Sequence, residues 1–189
     1  YDASGNPVAI ATGNDGQVLT STGAGSPPAF ETLSAGKVLQ TVQVEKTDTW
    51  TSATNSFVDV TGMSLSITPS ATSSKILLLG HIEIQGGDGV TSQTKLIRDS
   101  TDINIGDAAS SRTRATWNSS NQSGDIDGGN SLAVCFLDSP SSTSSLTYKI
   151  SARNNGSGGT IYLNRTVSDS DAATRGRFAS VLIAQEISA

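Results

Sequence analysis

Few side chains in this sequence are suited to acid–base or metal chemistry. The chain has one histidine, His81, inside an apolar run, and one cysteine, Cys135. Imidazole is a common ligand of transition metals. His81 has no second histidine two residues later with which it could bind a metal ion, so we expect a hydrogen-bonded strand histidine. Cys135 is expected on a buried strand, where cysteine behaves as a small apolar residue. The sequence predicts no cofactor and no metal site.

Carboxylates occur in two close pairs, Asp125 with Asp127 and Asp169 with Asp171. Glycosidases place two carboxyl groups roughly 5–9 Å apart, but both pairs lie in loops rich in serine and glycine, where turn formation explains aspartate. A calcium site is an alternative at Asp125, Asp127 and Asn130, because oxygen ligands suffice for this ion. Their spacing does not complete a helix–loop–helix calcium loop, and we predict neither a metal site nor a catalytic residue.

Two polar loops contain the best candidates for recognition. One covers 118–130 and directly follows Trp117, and the other covers 166–176. Loops held by a rigid sheet are common binding sites, and an aromatic face beside amide and carboxylate groups can bind sugars. The alternative for Trp117 is a place in the core. The candidate receptor-binding residues are Trp117, Asn118, Asn121, Asp125, Asp127, Asn130, Asp169 and Arg175.

The composition favours β-structure and excludes some partners. The 189 residues include 30 Ser, 22 Thr, 10 Asn and 19 Gly, and only 15% are charged. Threonine favours strands and the other three favour turns. A net charge of −5 without a basic tract argues against nucleic-acid binding. The apolar runs, such as 76–79 and 132–137, are far shorter than the roughly 20 residues that span a bilayer, so we expect no membrane insertion.

Short alternating runs from residue 37 onward predict ten or eleven strands. They are separated by frequent turn signals, which is typical of an antiparallel sandwich or barrel. The runs lie at 38–44, 57–60, 63–67, 75–85, 90–98, 103–105, 113–117, 132–137, 146–153, 160–165 and 177–187. We predict an all-β, antiparallel, jelly-roll-like sandwich over 37–189.

The last strand and the run at 75–85 are apolar on both faces. Ile183 and Ile187 lie opposite the core-facing residues of the last strand, as Leu77 and Leu79 do in the earlier run. A face exposed to solvent would be polar. Either a loop covers these residues or they form a subunit interface.

Residues 1–36 differ from the rest of the chain. They contain three of the five prolines, and their apolar residues stand singly or in pairs, so they cannot close a hydrophobic core alone. The segment is therefore either disordered or buries its apolar residues against another surface, and their regular return favours the second possibility. These residues include Val8, Ile10, Val18, Leu19, Phe30 and Leu33.

The segment GNDGQVLTSTGAGSPPAF at 13–30 resembles a sequence found in tail-fibre and related virion proteins of bacteriophages. The run KVLQTVQVEKTDTW and the closing FASVLIAQEIS are similar to the β-domain that follows such segments in phages of aquatic bacteria. The resemblance implies a homotrimeric virion fibre in which three copies intertwine residues 1–36 as extended segments about a threefold axis. The candidate trimer-interface residues are the six apolar residues named above, Val8, Ile10, Val18, Leu19, Phe30 and Leu33. The resemblance also implies a globular tip that contacts a glycan or protein of the host surface, and binding to other virion proteins.

Two other functions remain open from the sequence. One is a purely structural virion decoration or connector protein, which would bind no host surface. The other is a depolymerase of the host polysaccharide, which would need a catalytic pair such as Asp125 and Asp127. Non-enzymatic attachment by multivalent tip loops agrees best with the absence of a catalytic motif.

Overall fold

The computed structural model describes residues 4–6, 9, 12–24, 26–32, 37–121, 124, 127, 129–156 and 158–188. The chain divides into two compact units, one within 1–37 and the other covering 38–188. All helix or strand assignments in the described residues are β-strand. None of these residues belongs to a helix long and apolar enough to cross a membrane.

The first unit contains a β-hairpin. Strands β1 (Gln17–Thr20) and β2 (Ala29–Thr32) pair antiparallel, with Leu19 opposite Phe30. These strands were not predicted from the sequence, because each has four residues and is too short to show alternation. A Cβ at Gly13 would collide with the ring of Phe30, so glycine is required there.

The predicted trimer-interface residues divide into two groups. Val18, Leu19 and Phe30 are exposed in this unit, at 42%, 47% and 36% of their accessible surface. Val8, Ile10 and Leu33 lie outside the described residues. The hairpin thus presents apolar side chains that its own two strands do not bury.

The described residues of the second unit form eleven strands. They are β3 (Val38–Lys46), β4 (Trp50–Ser52), β5 (Val58–Ile67), β6 (Lys75–Gly86), β7 (Thr91–Arg98), β8 (Thr101–Ile103), β9 (Trp117–Ser120), β10 (Ser131–Asp138), β11 (Leu146–Asn154), β12 (Ile161–Leu163) and β13 (Ser180–Ile187).

These strands form two antiparallel sheets in jelly-roll order. One sheet has the order β3–β13–β6–β10, and β12 and β4 extend it at the end of β6. The other has the order β5–β11–β7, and β8 and β9 both pair with β7. The chain therefore passes between the sheets after β4, β5, β6, β9, β10 and β11. This order confirms the predicted all-β, jelly-roll-like sandwich.

The core lies between the two sheets. The predicted inner face of β6 is confirmed, because Ile76, Leu78, Ile82 and Ile84 are fully buried. They pack with residues of the facing sheet such as Met63, Leu65, Leu96, Tyr148 and Ile150. Gly80 completes this face, and a Cβ there would collide with the carbonyl oxygen of Val181 on β13.

Several predicted strand limits were wrong. The runs at 57–60 and 63–67 form one strand, β5, which continues through Gly62 at a φ of 85°. The run at 113–117 is replaced by β9, which begins at Trp117. Ser119 is buried in β9 although serine carries no hydrophobic signal. The three-residue strand β4 was missed because it is too short to show a pattern.

Cys135 corrects a further expectation. It lies on a strand, as predicted, but its side chain is exposed on the outer face of β10. Its neighbour Val134 faces the core instead. Alternation along β10 thus exposes Cys135, and its apolar character alone did not reveal the face.

Candidate functional site

Four connections of the sandwich meet at one end, here called the loop end. They are 47–57, 87–90, 121–130 and 155–179, which follow β3, β6, β9 and β11. The strand pairings show that these four strands run in the same direction, so their connections lie at the same end of the sandwich. Val38, the first residue of β3, pairs with Ile187 at the opposite end. The chain therefore enters and leaves this unit away from the loop end.

The structure brings the two predicted recognition loops together. Arg175 of the second loop forms an ion pair with Asp127 of the first. The ring of Phe178 lies against Gly129, where an added Cβ would be 3.5 Å from it. A Cβ at Gly176 would collide with the same ring, so this glycine leaves space for Phe178, whereas a Cβ at Gly129 would be in ordinary van der Waals contact. The two loops form one surface rather than two separate candidates.

A third connection joins this surface. The amide of Gly124 donates a 2.6 Å hydrogen bond to Oδ1 of Asp88, in the turn between β6 and β7. Nearby, the amide of Asn121 donates to the carbonyl oxygen of Val90 at 3.3 Å. These bonds hold parts of the loop 121–130 against a short turn between two long strands.

Asn164 anchors the second loop to the sandwich. It is fully buried at a φ of 59°, a left-handed conformation that asparagine tolerates. Its Nδ2 donates to the carbonyl oxygens of Lys46 and Asp48 at 2.7 and 3.1 Å, and its Oδ1 accepts from Oγ of Ser180 at 2.6 Å. One side chain thus fixes the segment after β12 to β3 and β13.

Arginine and aspartate side chains form ion pairs at the surface of the second loop and its flanking residues. Arg165 contacts Asp169 at 2.7 Å, and Arg177 pairs with the other oxygen of the same carboxylate. The hydrogen bond from Arg177 lowers the pKa of Asp169, and Arg165 lowers it further. The guanidinium of Arg165 also lies 4.3 Å from the ring centre of Tyr162. Asp169 is therefore held as a carboxylate.

An open cleft of about 300 Å³ lies among these charges. It is lined by Asp169, Ser170, Asp171, Ala172, Arg175 and Arg177. Guanidinium groups donate several hydrogen bonds in fixed directions, and carboxylates accept them. A ligand with many hydroxyl groups, each both donor and acceptor, matches this arrangement.

The other predicted residues that the structure describes do not line the cleft. Trp117 is half-buried and packs against the core, which is the alternative left open by the sequence. Asn118 is exposed on β9 and pairs with Gln93, outside the loop end. Asn121 is buried at the start of its loop, and the carbonyl oxygen of Asn130 accepts from the amide of Ile84 at 3.1 Å. Asp125 lies outside the described residues.

Arg165, Arg177 and Phe178 were not predicted as site residues from the sequence. A signal was present, because three of the seven arginines of the chain lie between 165 and 177. Arg177 and Phe178 were assigned to the last strand, which begins only at Ser180. Arginines that pair with aspartates in a loop follow no hydrophobic pattern from which their position could be predicted.

His81 is exposed on the outer face of β6. Its Nε2 forms a 3.1 Å hydrogen bond with the carbonyl oxygen of Ala179. Across the part of the chain that the structure describes, no three side chains of histidine, cysteine, aspartate or glutamate lie close enough to hold a metal ion.

Comparison with known proteins gave matches among solved structures alone. No family model and no curated protein matches the chain. A mutant VP2 protein of infectious bursal disease virus in T=1 particles is 15% identical, with a TM-score of 0.45, over 94% of this chain and 44% of that one. The VP2 subviral particle of the same virus is 13% identical, with a TM-score of 0.42, over 94% and 47%. The chain thus spans less than half the length of these proteins.

Proposed function

We propose that this chain is a non-enzymatic virion protein, a homotrimeric bacteriophage fibre that attaches to the host cell through the loop end of its sandwich. The ligand is a glycan or protein of the host surface. The chain would be located on the virion and would contact other virion proteins. The proposal joins the resemblance of 13–30 to phage fibre segments with the geometry of the loop end.

The pairing of Arg175 with Asp127 is the observation that carries the attachment role. It unites two polar loops that are separated in sequence, at the end of the unit opposite to Val38. Loops that converge on a rigid sandwich form a fixed surface, which lowers the entropy that binding would otherwise cost.

The exposed hairpin supports a homotrimer. A two-stranded hairpin is at best marginally stable in water, and this one exposes Val18, Leu19 and Phe30. Three copies could bury these side chains against one another, whereas the strands of one copy do not. Trimerisation would also place three loop ends on one fibre.

The mechanism is multivalent recognition of hydroxyl-rich ligands. In the cleft, Arg175 and Arg177 supply donors while Asp169 and Asp171 supply acceptors. Each site would bind weakly, because the cleft is open and its groups are hydrated. Several sites on one particle raise the effective concentration, so weak sites together give firm attachment.

The electrostatics of the cleft support a binding role over hydrolysis. A glycosidase needs one carboxyl group whose pKa is raised, so that it can donate a proton. Two arginines lower the pKa of Asp169 instead.

A binding screen tests the proposal. The purified chain is applied to a glycan array and to cells of a panel of aquatic bacteria, beside an Arg175→Ala variant. Arg112→Ala is the matched control, since Arg112 is an exposed arginine between β8 and β9. We expect a strain or glycan that binds the wild type and the control but not Arg175→Ala. A chain that binds no surface but binds other virion proteins would be a connector and would contradict the attachment role.

A further inference from the structure

The outer face of the sheet β3–β13–β6–β10 is apolar along its centre. Ile183 on β13 lies opposite Leu79 on β6, and Leu79 lies opposite Cys135 on β10. The next row joins Gln185, Leu77 and Leu137 in the same way. Cys135 and Leu137 are exposed, and Leu137 presents 47% of its surface.

The outer face of the second sheet has the opposite character. Lys149 pairs with Asp59 at 2.7 Å, and Lys95 pairs with Asp102 at 2.6 Å. Oγ atoms of Ser66 and Thr147 lie 3.2 Å apart on the same face. A face that contacts water in an antiparallel sandwich is polar in this way. The apolar face therefore departs from what solvent exposure would select.

The charges of the apolar face lie at its ends. Lys75 is at the start of β6, and Glu83 lies eight residues along the same strand. Glu45 lies toward the end of β3. The rows between them are uncharged, so a second copy can pack there without burying like charges.

The area of the face is sufficient for association. Four strands about 4.8 Å apart and roughly 27 Å long give about 500 Å² of sheet, from standard strand spacing and rise. Three such faces, one from each copy of the proposed trimer, contribute on the order of 1,500 Å² in total, which lies within the range of specific interfaces.

We propose that this face is the surface on which a second copy of the chain packs, with Leu77, Leu79, Leu137 and Ile183 at its centre. The inference rests on the proposed homotrimer and not on the proposed attachment. It places a contact between copies within the sandwich, in addition to the hairpin of the first unit.

Light scattering of the full chain tests this surface. The variants are Leu79→Glu and Leu137→Asp, and Ile97→Glu is the matched control, because Ile97 is half-buried on the outer face of the other sheet. We expect the wild type and the control to have the mass of a trimer, three times the 19.3 kDa of one chain. Both face variants should have a lower mass at the same concentration, with unchanged circular dichroism.

The alkylation rate of Cys135 is a second readout. A bulky maleimide should react slowly with the assembled wild type and at least ten times faster with Leu137→Asp, whose exposed position tolerates a polar residue. A wild type that is a single chain at all concentrations overturns both the trimer and this surface. A trimer that persists in both variants, with Cys135 equally reactive, overturns this surface alone. The mass by light scattering and the alkylation rate of Cys135 do not depend on host binding, so failure of the host-binding screen would not affect this test.

Discussion

The hydroxyl of Tyr148 donates a 2.6 Å hydrogen bond to Oδ2 of Asp138, at a point where the tyrosine is fully buried. Arg98 donates to both oxygens of the same carboxylate at 2.7 and 2.6 Å. Burial raises the pKa of Tyr148, and its bond to Asp138 raises it further. The three residues tie β7, β10 and β11 together at the end opposite the loop end.

Removing Asp138 should weaken the sandwich more than removing one of the groups that it binds. Hydrogen bonds to charged groups contribute about 1.5–3 kcal/mol, so Tyr148→Phe should lower the free energy of unfolding by about 2 kcal/mol. Asp138→Ala leaves Arg98 and Tyr148 without their acceptor and should cost about 3 kcal/mol or more. Urea unfolding measures both. Equal losses in the two variants would show that Asp138 does not unite them.

Glu186 should make stability depend on acidic pH. Burial alone raises its pKa, but hydrogen bonds from Ser70, Gln40 and Ser74 lower it to about 2, from 4.5 in an unfolded chain. The carboxylate therefore stabilises the fold fully above pH 4.5, and this contribution is lost as the pH falls toward 2.

Glu186→Gln provides the comparison. At pH 7 it should be less stable than the wild type by on the order of 2 kcal/mol, because one pKa unit corresponds to about 1.4 kcal/mol. The difference should shrink as the pH approaches 2. Chemical unfolding at several pH values measures it, and a difference that does not vary with pH would contradict the assigned role.

Asn164 should be more important for stability than any exposed asparagine. Asn164→Ala would leave the hydroxyl of Ser180 and the carbonyl oxygen of Lys46 without their partner, at a cost of about 3 kcal/mol. Asn118→Ala, on an exposed strand position, should change the free energy of unfolding by less than about 0.5 kcal/mol. Thermal unfolding compares the two. Similar melting temperatures would refute the anchoring role.

The ion pair of Arg175 and Asp127 should matter for binding and little for folding. Asp127 has 51% of its side chain exposed and Arg175 has 16%, so the pair is partly exposed, and ion pairs near the surface contribute about 0–1 kcal/mol. Arg175→Ala should therefore unfold within about 1 kcal/mol of the wild type while host binding falls at least tenfold. If the variant loses several kcal/mol, its binding defect would reflect misfolding instead.

Alternation made most of the sandwich predictable. The run at 75–85 places isoleucine or leucine on every second residue except Gly80, and β6 covers it. Short or polar strands were not predictable in this way, because β4 has three residues and β9 buries Ser119 without an apolar signal.

The candidate site was predictable only in part. Its two loops could be named from polarity, but the contact of Asp127 with Arg175 depends on how the sheets stack. Arg165 and Arg177 share Asp169 through a local fold that no spacing rule describes. Trp117, chosen for its aromatic face, packs on the core because its strand starts earlier than the loop.

Hydrogen–deuterium exchange of the full chain, free and bound to the strain or glycan found in the screen, tests the loop end most directly. We predict slower exchange on binding in 87–90, 121–130 and 164–179, with little change between β8 and β9. Protection confined to 104–116 or to an outer sheet face, with none at the loop end, would contradict the proposed attachment surface.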